Sequence, residues 1–271
     1  MRTLRDSLSV SEVTRLVESG QLDAILTATD IKAALAPYRQ SLITVTERAY
    51  DATKLPQPAP MFDVLSPTTL DAVRELDSRV VNTLSDEVRE TVRAHIENGL
   101  RDGRPPRTVA RSLREVIGLA PNQERAVENF ERTLRGETDR SATDYALRDK
   151  RFDRLLAKGP LSEPQIDRMT AAYRRKMLAF NAETNARTAT LDSMKLGQRL
   201  SWDEAVEKGI VTGPVNKTWV GVMDDRERPE HVAMEGETVP KDAIFSNGED
   251  IPGESTFNCR CLARYTIAEA A

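Results

Sequence analysis

The positions of apolar residues predict a succession of helices over the first two-thirds of the chain. In the clearest case, Ser66 and Pro67 provide an N-cap and a first helical position. Apolar residues then recur at intervals of three and four, which is typical of one buried helix face. The pattern fades between Gly99 and Gly103, and His95 within it is predicted to lie on the polar face. The apolar stripe consists of Leu70, Val73, Leu76, Val80, Leu84, Val88, Val92 and Ile96.

Capping residues, glycine and proline predict where the helices before and after this one begin and end. The capping-box spacing of Ser9 and Glu12 predicts a short helix that stops at Gly20, and a second helix is expected over 22–52 with a kink or break at Pro37. The pattern also indicates three shorter helices, over 107–117, 122–134 and 142–157.

A long helix is expected next. Ser162 is its predicted cap, and the helix runs to about Leu200 by the helical period of its apolar residues. A second capping box, Ser201 to Glu204, predicts a separate short helix that is closed by Gly209. The predicted apolar positions of the long helix are Ile166, Met169, Tyr173, Met177, Phe180, Thr184 and Leu191.

Two changes of texture divide the chain. Alternate prolines at 56, 58 and 60 predict a stiff extended linker. From Val215 onward helical periodicity disappears, glycine and acidic residues become dense, and 217–222 has a β-like pattern. We therefore expect a mainly α protein, with an elongated helical body and a small, loop-rich α+β module at the C-terminal end. The predicted divisions are an N-terminal helical arm (1–53), a linker (54–65), a helical body that is basic in its second half (66–164) and the C-terminal module (165–271).

Composition agrees with exposed helices. Charged residues make up 30% of the chain and aromatic residues 5%, which disfavours an all-β sandwich. No apolar stretch is long enough to cross a bilayer, and no apolar core follows the charged residues of 1–6 as it would in a secretion signal. We expect a protein that is made and used in a cytoplasm, with no membrane contact.

The charges are segregated along the chain. Residues 101–176 carry 18 basic and 12 acidic side chains, whereas residues 201–271 carry 7 and 14. A basic helical segment is a candidate for contact with DNA. Ion pairs between neighbouring turns of solvated helices are the alternative explanation. The candidate DNA-contacting residues are Arg101, Arg104, Arg107, Arg111 and Arg114.

The C-terminal module holds a dense polar set that admits three interpretations. The first is a metal site, with His231, Cys259 and Cys261 as ligands, a nearby aspartate as the fourth, and zinc as the ion. Two cysteines one residue apart would form a strained disulfide, and two thiols at this spacing suggest a metal site as one interpretation.

The second interpretation is catalytic, with Asp224 or Asp225 beside His231 as acid and base and an arginine steadying a phosphate. No second histidine lies near this segment, and a phosphate loop and a nucleophile motif are not found in the sequence.

The third interpretation is structural. Arg226 and Arg228 would lie on one face of an extended segment and pair with Glu183, Asp224 or a backbone carbonyl. In this interpretation Trp219 and Phe245 supply the apolar body, His231 and Asn258 satisfy backbone groups, and the cysteines are small buried hydrophobes.

The order of these residues resembles a known signature. Trp, Asp-x-Arg-x-Arg-Pro-x-His, Gly, Phe, Pro-Gly and Asn-Cys-Arg-Cys follow one another between 219 and 261, and Ala-Glu-Thr-x-Ala-Arg-Thr lies upstream at 182–188. This set is similar to the phage Mu F-like head-morphogenesis family over about residues 165–267. The family pattern falls on Glu183, Arg187, Trp219, Asp224, Arg226, Arg228, His231, Gly236, Asn258, Cys259 and Cys261.

The resemblance implies a structural role and no enzyme activity. Members of the family are minor proteins of tailed-phage heads that associate with the portal and assist head assembly and DNA packaging or delivery. The expected partners are the portal protein, packaged DNA, and the major capsid or scaffold protein. Several copies per portal ring are expected, inside the capsid at the portal vertex. A metal-dependent nuclease or processing enzyme acting during packaging is the alternative, and no cofactor is expected other than the zinc of the first interpretation.

Overall fold

The computed structural model describes residues 9–19, 36–63, 66–109, 112 and 117–268. Helices dominate this part of the chain, and a small antiparallel sheet of three strands lies near its C-terminal end. The predicted class, mainly α with a small α+β module at the C-terminal end, is confirmed. None of the helices in these residues is long and apolar enough to span a membrane.

The elements follow one another in the order expected from the pattern, with different bounds. The helices are α1 (Val10–Glu18), α2 (Ala36–Asp51), α3 (Pro67–Arg101), α4 (Pro121–Leu134), α5 (Asp153–Leu156), α6 (Glu163–Glu207) and α7 (Pro229–Val232). Two 3-10 turns, Ala142–Asp144 and Lys150–Phe152, precede α5. The strands are β1 (Val215–Val220), β2 (Thr238–Pro240) and β3 (Leu262–Ile267).

The predicted helix caps at Ser9 and Ser66 are confirmed. The Ser9 hydroxyl accepts a hydrogen bond from the Glu12 backbone N–H at 3.4 Å, and the Ser66 hydroxyl accepts one from Thr69 at 3.2 Å. Pro37 lies in the first turn of α2, where proline is tolerated. Because residues 20–35 lie outside the described residues, the predicted kink or break at Pro37 stays a prediction. Gly20, residues 22–35 and most of the predicted helix 107–117 lie outside the described residues.

The chain divides into two compact units. One unit contains Met1–Ala36 and Val81–Glu183, and the other contains Pro37–Val80 and Thr184–Ala271. These boundaries fall inside α2, α3 and α6. The four-part division by composition therefore remains a prediction about the sequence.

The core of the first unit is an aromatic cluster between α4, the 3-10 turns and the first part of α6. Phe130 stacks on Tyr173 with ring centroids 4.4 Å apart, and Tyr145 meets both rings edge-on. Such pairs add to the free energy of burying the rings. The aliphatic part of the cluster includes Leu119, Val127, Leu134, Ile166, Met169 and Met177.

Two predictions fail in this unit, and in the first case short polar side chains compete with the helix. Residues 142–157 were expected to form one helix, but the Ser141 and Asp149 side chains accept N–H groups of Thr143 and Arg151 and close 3-10 turns instead. Phe180 was expected in the core and is 48% exposed.

The inward position beside Phe180 belongs to Asn181. Its side-chain amide donates to the Gly118 carbonyl at 2.6 Å and its oxygen accepts from Gln123 at 2.9 Å. The predicted polar-face position of His95 is also wrong, since that side chain is buried. One of its ring nitrogens lies 2.8 Å from the Ser112 hydroxyl and the other 3.7 Å from a Glu124 oxygen.

In the second unit, β1 is the central strand of the sheet. It pairs antiparallel with β2 (Lys217 opposite Val239) and with β3 (Lys217 opposite Tyr265). Trp202 on α6 stacks on Tyr265 at 5.8 Å. The predicted break at Ser201 is wrong because α6 continues to Glu207: Trp202 and Ala205 face the core, and an Arg199–Asp203 ion pair spans the predicted boundary.

Mutation of a buried and of an exposed phenylalanine in the first unit should change the free energy of unfolding by different amounts. We expect Phe130→Ala to lower the free energy of unfolding by about 3–5 kcal/mol, because it leaves a cavity under Tyr145 and Tyr173. The matched control, Phe180→Ala, should change it by less than about 0.5 kcal/mol since that ring is half exposed. Chemical denaturation followed by far-ultraviolet ellipticity measures both, and equal losses would contradict the described core.

Candidate metal centre

The site is built on β1, whose alternation points every second side chain inward. Val215, Lys217 and Trp219 are buried on one face of this strand. The Trp219 ring contacts Phe245 edge-on at 5.3 Å and His231 at 5.5 Å. Trp219 therefore forms one wall of the site, and the predicted apolar pair with Phe245 is confirmed.

A charged loop follows β1. Met223 has a positive φ of 57°, and the Asp224 carboxylate accepts two hydrogen bonds from the Arg260 guanidinium at 2.5 and 2.7 Å. This bidentate pair holds the pKa of Asp224 well below its usual range. The predicted extended segment with Arg226 and Arg228 on one face is wrong, because the chain turns here to bring Asp224 against Arg260.

The short helix α7 then places His231 between the two cysteines. Its Nδ1 atom lies 3.4 Å from the sulfur of Cys259 and 3.4 Å from that of Cys261. All three side chains are buried, and their ligand atoms lie within 4.8 Å of one another. Both cysteines are free thiols. The structure thus brings together the three residues that the sequence suggested as metal ligands, with His231 facing sulfur rather than a backbone group.

The two thiols are inequivalent before any metal binds. A hydrogen bond from Cys261, opposed by burial, lowers the pKa of Cys259 to about 6. The interaction with Cys259, burial and the Glu227 carboxylate together raise the pKa of Cys261. The Cys261 backbone N–H also points to the Cys259 sulfur at 3.4 Å. The shift of the Cys259 pKa favours its thiolate form, which is the form of cysteine that binds a cation.

The loop before the cysteines packs tightly on Cys259. Gly253 has a φ of +73°, and a Cβ atom on it would lie 2.2 Å from the Cys259 sulfur. The Gly253 N–H donates to the buried Glu249 carboxylate at 2.6 Å, and Lys195 donates to the neighbouring Pro252 carbonyl at 2.8 Å. These bonds fix the backbone that confines the sulfur.

The remaining motif residues brace the same module. Arg187 donates to the Asn258 side chain at 3.2 Å, and Arg228 donates to the Phe257 carbonyl at 3.1 Å. The Gly236 N–H, at a φ of +81°, donates to the Trp219 carbonyl at 3.0 Å. Glu183 is exposed on α6 and belongs to the first unit.

Four residues of the site were not predicted from the sequence. Arg260 lies within the Cys-Arg-Cys motif and pairs with Asp224, and Glu227 accepts a hydrogen bond from the Cys261 thiol at 2.9 Å. Lys195 and Glu249 hold the Gly253 loop. Their partners lie 4 to 57 positions away, so the only sequence signal was the density of charge near the cysteines.

Of the predicted DNA-contacting arginines, Arg101, Arg104 and Arg107 are described and lie in the first unit. Arg101 and Arg107 are exposed, while Arg104 lines a cavity of about 470 Å³ together with carboxylates that include Glu128 and Glu131. Arg111 and Arg114 lie outside the described residues.

No protein-family model, curated protein or solved structure matches this chain. The geometry alone defines the class of site: a buried His–Cys–Cys cluster that can accept a metal ion.

Crowding at Gly253 provides a test of this geometry. We expect Gly253→Ala to disrupt the thiol cluster, because the new methyl group would collide with the Cys259 sulfur. Gly248→Ala is the matched control, since Gly248 also has a positive φ, of +88°, but nothing lies within 4 Å of its added Cβ. Both variants incur a backbone cost of about 1–2 kcal/mol. Denaturant unfolding should show the larger loss for Gly253→Ala, and equal losses would contradict the described packing.

Proposed function

We propose that this chain is a structural minor head protein of a tailed phage, not an enzyme. It associates with the portal protein inside the capsid, at the portal vertex, and assists head assembly and DNA packaging or delivery. Several copies surround one portal ring after assembly in the host cytoplasm, in contact with packaged DNA and with the major capsid or scaffold protein, and with no membrane.

One observation carries this proposal: the charged motif residues are engaged in holding the module together. The Asp224–Arg260 pair joins the loop after β1 to the cysteine segment. Arg187 and Arg228 tie Asn258 and the Phe257 carbonyl to the same segment. Groups bound in this way stabilise loops and present a fixed surface, which is what a docking module requires.

The exposed arginines of the first unit support the proposed contact with DNA. Arg101 and Arg107 are exposed and suit contact with phosphate, whereas Arg104 faces carboxylates. Contact with DNA is therefore assigned to the exposed pair.

Co-expression tests the portal assignment. The full chain, tagged, should co-purify with the portal protein of the same phage at moderate salt, and should not retain an unrelated ring-forming protein. Failure of the portal to co-purify in repeated preparations would overturn the portal assignment.

We further propose that the ion at the His–Cys–Cys cluster is zinc. Zinc–sulfur bonds of about 2.3 Å and zinc–nitrogen bonds of about 2.0–2.1 Å, at the tetrahedral angle, separate sulfur from nitrogen by about 3.6 Å. The His231 Nδ1 atom lies 3.4 Å from each sulfur, close to that spacing. Soft sulfur ligands with one imidazole favour zinc over magnesium or calcium. Bound there, zinc joins α7 to the cysteine segment.

Metal analysis tests the zinc assignment. Protein purified without chelator should contain close to one zinc per chain, and His231→Ala should lose it because one ligand atom is removed. His95→Ala is the control, since that histidine is buried elsewhere, in the first unit. Zinc content that is unchanged in His231→Ala, or equally reduced in both variants, would contradict the assignment.

The alternative function is a metal-dependent nuclease or processing enzyme. Three protein ligands leave a fourth position on zinc for a reactive water, and a carboxylate lies beside it. His231→Ala distinguishes the two functions: loss of turnover with the fold intact favours the enzyme, and loss of folding favours the scaffold.

A further inference from the structure

We infer that Glu227 is the fourth protein ligand, so that the zinc site is a closed His–Cys–Cys–Glu centre. This inference rests on the proposed zinc site. A fourth protein ligand makes the centre a structural zinc site, because structural sites have four protein ligands and catalytic sites leave one position open.

The position of the Glu227 carboxylate supports this role. Its Oε1 atom lies 2.9 Å from the Cys261 sulfur. Its other oxygen accepts the Met223 backbone N–H at 2.6 Å, so the group is already oriented from behind. In metal sites, a carboxylate ligand is commonly held in place by a hydrogen bond to its other oxygen, like the one from the Met223 N–H here.

Gly221 makes this approach possible. A Cβ atom there would lie 2.9 Å from the Glu227 Oε1 atom and 3.0 Å from its carboxyl carbon. The glycine at the end of β1 therefore leaves room for the carboxylate beside Cys261.

Coordination requires the Glu227 carboxylate to shift, because the ligand atoms that now lie within 4.8 Å of one another are those of His231, Cys259 and Cys261. The distance of 2.9 Å is that of a thiol donating to a carboxylate. When a metal replaces that proton, sulfur and oxygen on one tetrahedral ion lie about 3.6 Å apart, so the two groups must separate by about 0.7 Å.

The charges nearby also favour a fourth anionic ligand. Zinc with two thiolates and a neutral histidine is neutral, and a carboxylate makes the centre negative by one. Two cations face it: Lys195 acts electrostatically on Cys259, and Arg260 on Glu227 and Cys261. Asp224, the nearby aspartate suggested by the sequence, has its oxygens bound to Arg260 and is not free for this role.

Cobalt substitution provides the test, because thiolate-to-cobalt absorption counts the sulfur ligands. Full-length protein is loaded with Co²⁺ and then titrated with Zn²⁺. Glu227→Cys should keep tetrahedral cobalt and raise the charge-transfer intensity by half, from two thiolates to three. Glu227→Gln should lower zinc affinity by more than the roughly 10–100-fold typical of a residue outside the ligand set. Glu230→Gln, an exposed glutamate of the same segment, should match the wild type.

The outcomes separate the two levels of the proposal. Wild-type protein that binds neither metal overturns the zinc site and this inference with it. Wild-type protein that binds metal, with unchanged affinity in Glu227→Gln and no added charge-transfer intensity in Glu227→Cys, overturns the inference alone. Far-ultraviolet ellipticity of each variant verifies that it is folded, and the cysteine variant retains a fourth ligand if the glutamine variant does not fold.

Discussion

The C-terminal module depends on one ion pair, between the buried ammonium group of Lys217 and the partly exposed carboxylate of Asp250. Lys217 is fully buried on the inner face of β1, between Val215 and Trp219, and its ammonium group donates to the Asp250 carboxylate and to the Asp250 carbonyl. An unpaired ammonium there would destabilise the fold by several kcal/mol. The loop that carries Asp250 must therefore be ordered whenever the sheet is formed.

This ion pair is linked by further contacts to the long helix α6 and to the loop beside the cysteines. Asp250 also binds Arg199 on α6, which in turn binds Asp203. On the other side, the neighbouring Glu249 holds the Gly253 N–H and so positions the backbone against the Cys259 sulfur. The same ion pair thus couples the sheet, the long helix and the thiol cluster, and few aliphatic side chains are needed to do so.

How far the sequence predicts this arrangement depends on the range of the interactions involved. Helix caps such as Ser9 and Ser66 and the alternation of β1 are local, and they were predicted correctly. The Ser201 capping box is also a local signal, yet burial of Trp202 overrides it. The candidate ligands were found because cysteine and histidine are rare in the chain. Glu227 and Arg260 were missed because they are two among many charged residues, distinguished only by partners more than thirty positions away.

Both tryptophans of the chain, Trp202 and Trp219, lie in the second unit. Intrinsic fluorescence is therefore an optical label for that unit, whereas circular dichroism averages over the helices of both. Denaturation curves from the two methods coincide only if the units melt as one cooperative body. Two separated curves would mean that the protein contains two thermodynamic domains, each with a stability of its own.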